Sequence, residues 1–324
     1  MRYVLDAVTT RRQITSMKSC LMTVWLLLLI TGLVACRDKV SREADSAGRS
    51  LPPVYSLGPV GNTNWNADAG PLMIVPSGST GDTVEVVFPE ATDSTIALFE
   101  RIAPPISGLT FDLFGRGGKV GSSVSVSALP VLPIDTIEEC HSWPLARLRS
   151  EHANWRVGLA SGHVGVIKVD SIEAMSTTDS AALAASLART AAMLPVAADP
   201  TFRGLPFRVR SAFTFRLDSV DVVVTDVVRS VNEEANPRIE HILIVGEKPV
   251  ASTGKYNVGY YSRTAGAEES TQATEILAVL QIGAAKRPAV VVNIEYDDAS
   301  KLGLIERMAV GQWRATWRSA YTDC

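Results

Sequence analysis

The sequence predicts a mainly β fold, built from hairpins and meanders in a propeller-like or sandwich arrangement, with one amphipathic helix inserted at about 178–194. Three observations predict it. Short runs rich in Val, Ile, Phe and Tyr are bounded by clusters of Gly, Pro and Ser, the punctuation of strands and turns. Ser122-Ser123-Val124-Ser125-Val126-Ser127 alternates with the period of two that a half-solvated strand requires. Further on, Leu183, Leu187, Ala191 and Leu194 recur at helical spacing, with Thr178 or Asp179 as the cap and Pro195 as the stop.

The body begins near Pro71. Residues 72–75 and 84–88 read as strands separated by the loop 76–81. Residues 110–114 and 120–128 flank Gly115-Arg116-Gly117-Gly118, a hairpin signal. Residues 143–152 read as a short helix with Ser142 near its cap and Pro144 in its first turn. Residues 155–159 and 164–169 bracket Ala160-Ser161-Gly162 as another hairpin, and 207–217 with 220–228 continue the pattern. The expected divisions are an N-terminal β-rich region at 71–175, a helical insertion at 176–200 and a C-terminal β-rich, repeat-like region at 201–324.

Residues 36–70 read as a flexible tether. The stretch 37–50 is charged and small, and Pro52, Pro53, Gly58, Pro59 and Gly61 follow, a composition that cannot bury enough apolar surface to order itself. Ahead of it, Arg11, Arg12 and Lys18 flank an apolar core of about 14 residues, 21–34, with small Ala35 before Cys36. That core is the size of a secretory h-region and too short to span a bilayer comfortably. Leu33-Val34-Ala35-Cys36 resembles the lipobox of bacterial lipoproteins. The resemblance implies a signal peptide at 1–35, cleavage before Cys36 and a diacylglyceryl anchor on its thiol, with further acylation making the anchor stable. Arg37 after Cys36 gives no inner-membrane retention signal, so the expected place is the periplasmic face of the outer membrane or the cell surface.

Without residues 1–35 the chain holds 27 basic and 33 acidic residues, a net charge of −6. No basic field remains for nucleic acid to bind. Cys140 and Cys324 are the two cysteines left beyond Cys36, and in an oxidising compartment they are expected to form a disulfide.

The C-terminal region repeats weakly. Residues 238–245 lead to 256–263, and 287–294 lead to 302–307; each time an apolar strand precedes an alternating one. The second unit then turns at Val310-Gly311-Gln312 into Trp313-Arg314-Ala315-Thr316-Trp317. These units resemble the blades of FG-GAP-like propeller repeats. The calcium-type Asp-x-Asp-x-Asp-Gly loop is missing, and Gly283-Ala284-Ala285-Lys286-Arg287-Pro288 stands there instead, so the resemblance does not imply bound calcium.

Motifs for catalysis, cofactors or metals do not emerge. His141, His152, His163 and His241 show no metal-ligand spacing. Cys140-His141 are adjacent and point apart in extended chain. Gly115-Arg116-Gly117-Gly118-Lys119 lacks the Gly and the Ser or Thr of a phosphate loop, and Ser161 lacks the preceding Gly of a nucleophile elbow. Asp218, Asp221 and Asp226 near one strand are acidic candidates, whereas Glu138-Glu139, Glu233-Glu234 and Asp297-Asp298 read as loop charges. Trp313, Trp317 and Tyr321 fall on one face of a strand, which suits either packing between sheets or a grip on a protein, peptide or glycan. The expected role is a non-enzymatic binding or scaffold module on a lipid anchor, ahead of a hydrolase with a site built from distant loops and of a solute-binding lipoprotein.

Overall fold

The alternating segments fold as predicted into a mainly β protein, with one helix of more than two turns among the described residues. The computed structural model describes residues 65–324 apart from 100–104, 130–141, 196–199, 233–235, 297–298 and 324. The lipobox, most of the tether, Cys140, His141, Cys324, Glu138-Glu139, Glu233-Glu234 and Asp297-Asp298 therefore lie outside the described residues.

The strands sort into three sheets. β1 (Met73–Pro76), β2 (Thr83–Val87), β3 (Thr110–Gly115), β4 (Gly118–Ala128), β5 (Leu145–Leu148) and β6 (Val157–Ala160) close into a barrel in the order β1-β2-β5-β4-β3-β6. β7 (Val164–Val166) and β8 (Val169–Ser171) leave it for separate sheets. β8 borders a sheet with β9 (Arg208–Leu217), β10 (Val220–Val231), β11 (Arg238–Pro249) and β12 (Asn257–Ala267), called here the outer sheet. β7 borders the middle sheet, made with β13 (Ala273–Ile282), β14 (Arg287–Tyr296), β15 (Ala299–Ala309) and β16 (Gln312–Arg318), to which β17 (Thr322–Asp323) adds beside β15. A single turn, α1 (Ile96–Phe99), and the long helix α2 (Thr177–Ala192) complete the set, with short 3-10 turns between.

Layering explains the strand sequences. The middle sheet is buried on both faces: Ala289 and Val291 of β14 join the barrel core, while Val290, Val292 and Ile294 meet Phe213, Phe215, Val222 and Val224 of the outer sheet. Strands covered on both sides need no polar alternation, which is why β10 and β14 read as continuous apolar runs. The outer sheet's other face is covered by α2, whose Leu187 and Ala191 pack on Val223, Val227 and Ile242. The helix starts earlier than Thr178: Ser176 is its cap, accepting from the Asp179 N–H and donating to Asp179 Oδ2 at 2.7 Å. The two similar C-terminal units fall on opposite sides of the sandwich, the first as β11–β12 and the second as β14–β15.

Three expectations change. Residues 145–148 form β5 rather than part of a short helix; Ala146 and Leu148 point into the barrel between exposed Leu145 and Arg147, a period of two, and the strand bridges β2 and β4. β6 and β7 do not form a hairpin, because both edges of β6 are already taken by β1 and β3, so β7 pairs with β13 instead. The alternation of β4 is real, but two of its serines face inward: Ser123 and Ser125 are buried, Ser122 and Ser127 are exposed, and Val126 is 40% exposed. Ser125 Oγ donates to the Ile106 carbonyl and Ser123 Oγ bonds Ser150, so these hydroxyls tie loop backbone that valines could not.

The outer and middle sheets are clasped at one buried carboxylate. Glu247 of β11 accepts from Arg307 Nε at 2.7 Å and Nη2 at 2.9 Å, from the Gly311 N–H at 2.9 Å and from Trp313 Nε1 at 2.7 Å. The β15–β16 turn is thus held to the outer sheet, and Trp313 stands edge-on to Phe215. Close approach also requires Gly259, where a Cβ would lie 2.8 Å from Trp313 Cδ1 and 2.9 Å from the Gly311 oxygen. Burial pushes Glu247 up, but the Arg307, Gly311 and Trp313 bonds outweigh it and hold the carboxyl below its usual value. Its contribution is therefore complete above the unfolded-state value near 4.5 and is lost as pH falls through the depressed folded value. Glu247→Ala is expected to cost about 3 kcal/mol in urea unfolding at pH 7, since it strands a largely buried arginine and a buried indole N–H. Glu247→Gln is expected to lose less and to show a shallower fall in stability below the unfolded-state value than the parent.

Candidate functional site

The barrel, the middle sheet and the outer sheet leave a cleft of about 540 Å3 where their ends meet. The β3–β4 turn brings Arg116 and Gly117, β13 brings Thr274, Glu275 and Ile276, and β8–β10 with the turn after β8 bring Ser171, Glu173, Arg210, Ser211, Phe213 and Asp226. The glycine-rich stretch at 115–118 is a hairpin turn, Gly118 taking φ +116, and it aims Arg116 across to Glu275. Arg156 Nη1 stands 3.9 Å from the same carboxylate.

A bulge shapes the outer-sheet wall. Register between β9 and β10 shifts at Asp226/Val227: Asp226 pairs with Ser211 and Val227 with Val209, leaving Arg210 as the extra residue. Bulges re-aim side chains, and here Arg210 Nη1 comes to 3.5 Å from Asp226 Oδ2. His241 Nδ1 lies 3.5 Å from Asp226 Oδ1. The Asp226 side chain is only 2% exposed, yet among the described residues neither of its oxygens accepts a hydrogen bond, and His241 Nδ1 also has none.

A second cleft of about 230 Å3 lies between the barrel and the middle sheet, lined by Glu85 and Trp143 from the barrel side, by Asn293, Ser300 and Ser319, and again by Arg156 and Glu275. Burial pushes the Glu85 carboxyl up. A larger hollow of about 610 Å3 opens beside α2, among Lys168, Asp170, Arg216, Asp221 and Tyr256. Burial, helped by Asp221, pushes Tyr256 up to about 12.

The residues singled out in the sequence scatter. Trp313 and Trp317 are buried in different cores, the first in the sandwich and the second against the barrel, where its Nε1 donates to the Pro89 carbonyl at 2.8 Å. A bulge between Leu304 and Ile305 separates them in register. Tyr321 is half-buried under Lys301, whose Nζ lies 3.6 Å from its ring. The shared aromatic face for a ligand is therefore absent, and the packing role is the one these side chains fill. His152, His163 and His241 stand apart, on Ser150, beside Asp68 and beside Asp226. Ser161 donates to Asp112, which also accepts from Lys119 and Ser122; burial raises that carboxyl, but these donors hold it below its usual value. Of the three acidic candidates, Asp218 sits in the β9–β10 turn with φ +43, Asp221 pairs with Arg216, and only Asp226 reaches the cleft. Among the described residues, no group of three or more His, Cys, Asp or Glu could hold a metal ion.

Arg116, Arg210, Glu85 and Glu275 were not singled out in the sequence as site residues. One signal was available: an acid inside a strand with no polar alternation, as in Val222-Val223-Val224-Thr225-Asp226-Val227-Val228. Comparison with protein-family models, curated proteins and solved structures returns no match to this chain.

Glu85 gives a test of this geometry. Its folded-state value is raised, so the folded chain holds the proton more tightly and stability falls as pH rises from about 4.5 through the raised value. Glu85→Gln is expected to remove that fall and to melt at or above the parent temperature at neutral pH, read by thermal denaturation across the pH series.

Proposed function

We propose that this chain is a lipid-anchored binding module of the cell envelope, held by Cys36 and offering the cleft beside Asp226 to a small ligand or to a peptide or glycan end. The observation that carries the binding reading is the buried carboxylate with unfilled hydrogen-bonding capacity, facing a cleft walled by strands of three sheets. The lipobox Leu33-Val34-Ala35-Cys36 supports the anchor, and the tether at 36–70 would let the body stand off the membrane. The expected place is the periplasmic face of the outer membrane or the cell surface. Cells fed radiolabelled palmitate are expected to label the parent chain and not Cys36→Ala. Label that persists in Cys36→Ala overturns the anchor.

In that compartment Cys140 and Cys324 form a disulfide on this reading. Two thiols left over outside a reducing compartment usually pair, which supports the disulfide.

One observation favours a hydrolase as a second reading. Glu85, pushed up by burial, and Glu275, paired with Arg116, line one cleft, and a pair of carboxylates in unlike environments can divide the acid and base roles. Turnover of a chromogenic glycoside by the full chain, lost by about a hundredfold or more in Glu85→Gln, would establish it. No turnover across a panel of such substrates leaves the binding module.

A further inference from the structure

We propose that the cleft beside Asp226 binds a primary ammonium group carried on a slim stem. This rests on the reading of that cleft as a binding site and names what it recognises.

The carboxylate is the starting point. A buried carboxylate that accepts no hydrogen bond is costly, and folded proteins satisfy nearly all such groups. Asp226 departs from that rule with both oxygens, which find no hydrogen-bond donor among the described residues and only ion-pair neighbours at 3.5 Å. The flanking positions of β10 are Val224 and Val228, and a valine or threonine is the better strand former there. An ammonium carries three N–H donors and no acceptor, the complement of a carboxylate with both oxygens unfilled.

The neighbouring side chains stop short of hydrogen bonds to it. Arg210 stops at 3.5 Å from Oδ2 and its side chain is half-exposed, and His241 stops at 3.5 Å from Oδ1. Arg116 is committed to Glu275. Counting Glu173 at the turn after β8, the cleft's lining holds three acids, Glu173, Asp226 and Glu275, against two arginines, Arg116 and Arg210. The balance favours a cation over an anion. A metal ion would want more ligands than the described residues bring together anywhere. Phe213 and Ile276, both buried, supply apolar wall beside Asp226, which suits a methylene or peptide stem.

Two sources carry this chemistry, a free aliphatic amine and a peptide N-terminus, and the probes separate them. The full chain in detergent is titrated calorimetrically at pH 7 and low salt with 1,4-diaminobutane, triglycine, N-acetyltriglycine and succinate. Saturable binding of 1,4-diaminobutane or triglycine is expected, with N-acetyltriglycine silent. Asp226→Asn is expected to weaken binding at least tenfold while melting at or above the parent temperature, because the amide removes a buried, poorly satisfied charge. Asp226→Thr, a better strand former, replaces it if the asparagine variant does not fold. Binding unchanged in these variants, or an ammonium probe no better than its acetylated form, overturns the proposal. If succinate alone binds and Arg210→Ala abolishes it, the ammonium assignment falls and the binding cleft stands. If no probe binds, both fall.

Discussion

The sandwich depends on the carboxylate of Glu247. Two β-sheets packed face to face gain most of their stability from apolar area, which has no direction and permits sliding. Glu247 adds direction: it reaches from β11 to a backbone N–H, an indole and an arginine of the β15–β16 hairpin, and fixes the angle and register between the layers. Gly259 permits the approach, and Trp313 fills the space between clasp and core. The cleft beside Asp226 is walled by strands of the same two sheets together with the barrel's β3–β4 turn.

Two other buried carboxylates of the sandwich are fully engaged. Glu240 on the α2 side of the outer sheet bonds Arg229 and Arg263, and Arg229 lies 4.5 Å from the Phe207 ring centroid. Glu306 on the barrel side of the middle sheet accepts from Arg287, Asn66 and Thr316. Such pairs contribute little net stability but are costly to break, so they select one arrangement of strands. Asp226 differs from Glu240, Glu247 and Glu306: among the described residues it accepts no hydrogen bond, and it lines a cleft.

Much of this architecture was legible in the sequence. Turn residues marked the β3–β4 and β9–β10 hairpins, and helical spacing marked α2, because those elements are set by local chemistry. What could not be read is what depends on partners far along the chain. Residues 145–148 become a strand because β2 and β4 need a bridge, and β7 leaves β6 because β6 has no free edge. The same holds for the site: Asp226 was visible as an acidic candidate near one strand, but Arg116 and Glu275 are brought together only when the barrel turn is set against β13. Trp313 and Trp317 share a parity in sequence, and only a bulge reveals that they serve separate cores.

The departure of β7 and β8 from the barrel has a consequence for the order of folding. β6 finds both its partners among strands made before it, so the barrel completes its hydrogen bonding from the first half of the chain. β7 and β8 are threaded next, but their partners, β13 and β9, arrive later. Until then the barrel waits with an apolar flank that the middle sheet will cover, and two unpaired strands hang from it. A chain delivered from its N-terminus must cross that interval, and non-local pairing of this kind is slow to form. The vulnerable state is thus a finished barrel with an unfinished sandwich, the species with most unpaired edge and uncovered apolar surface.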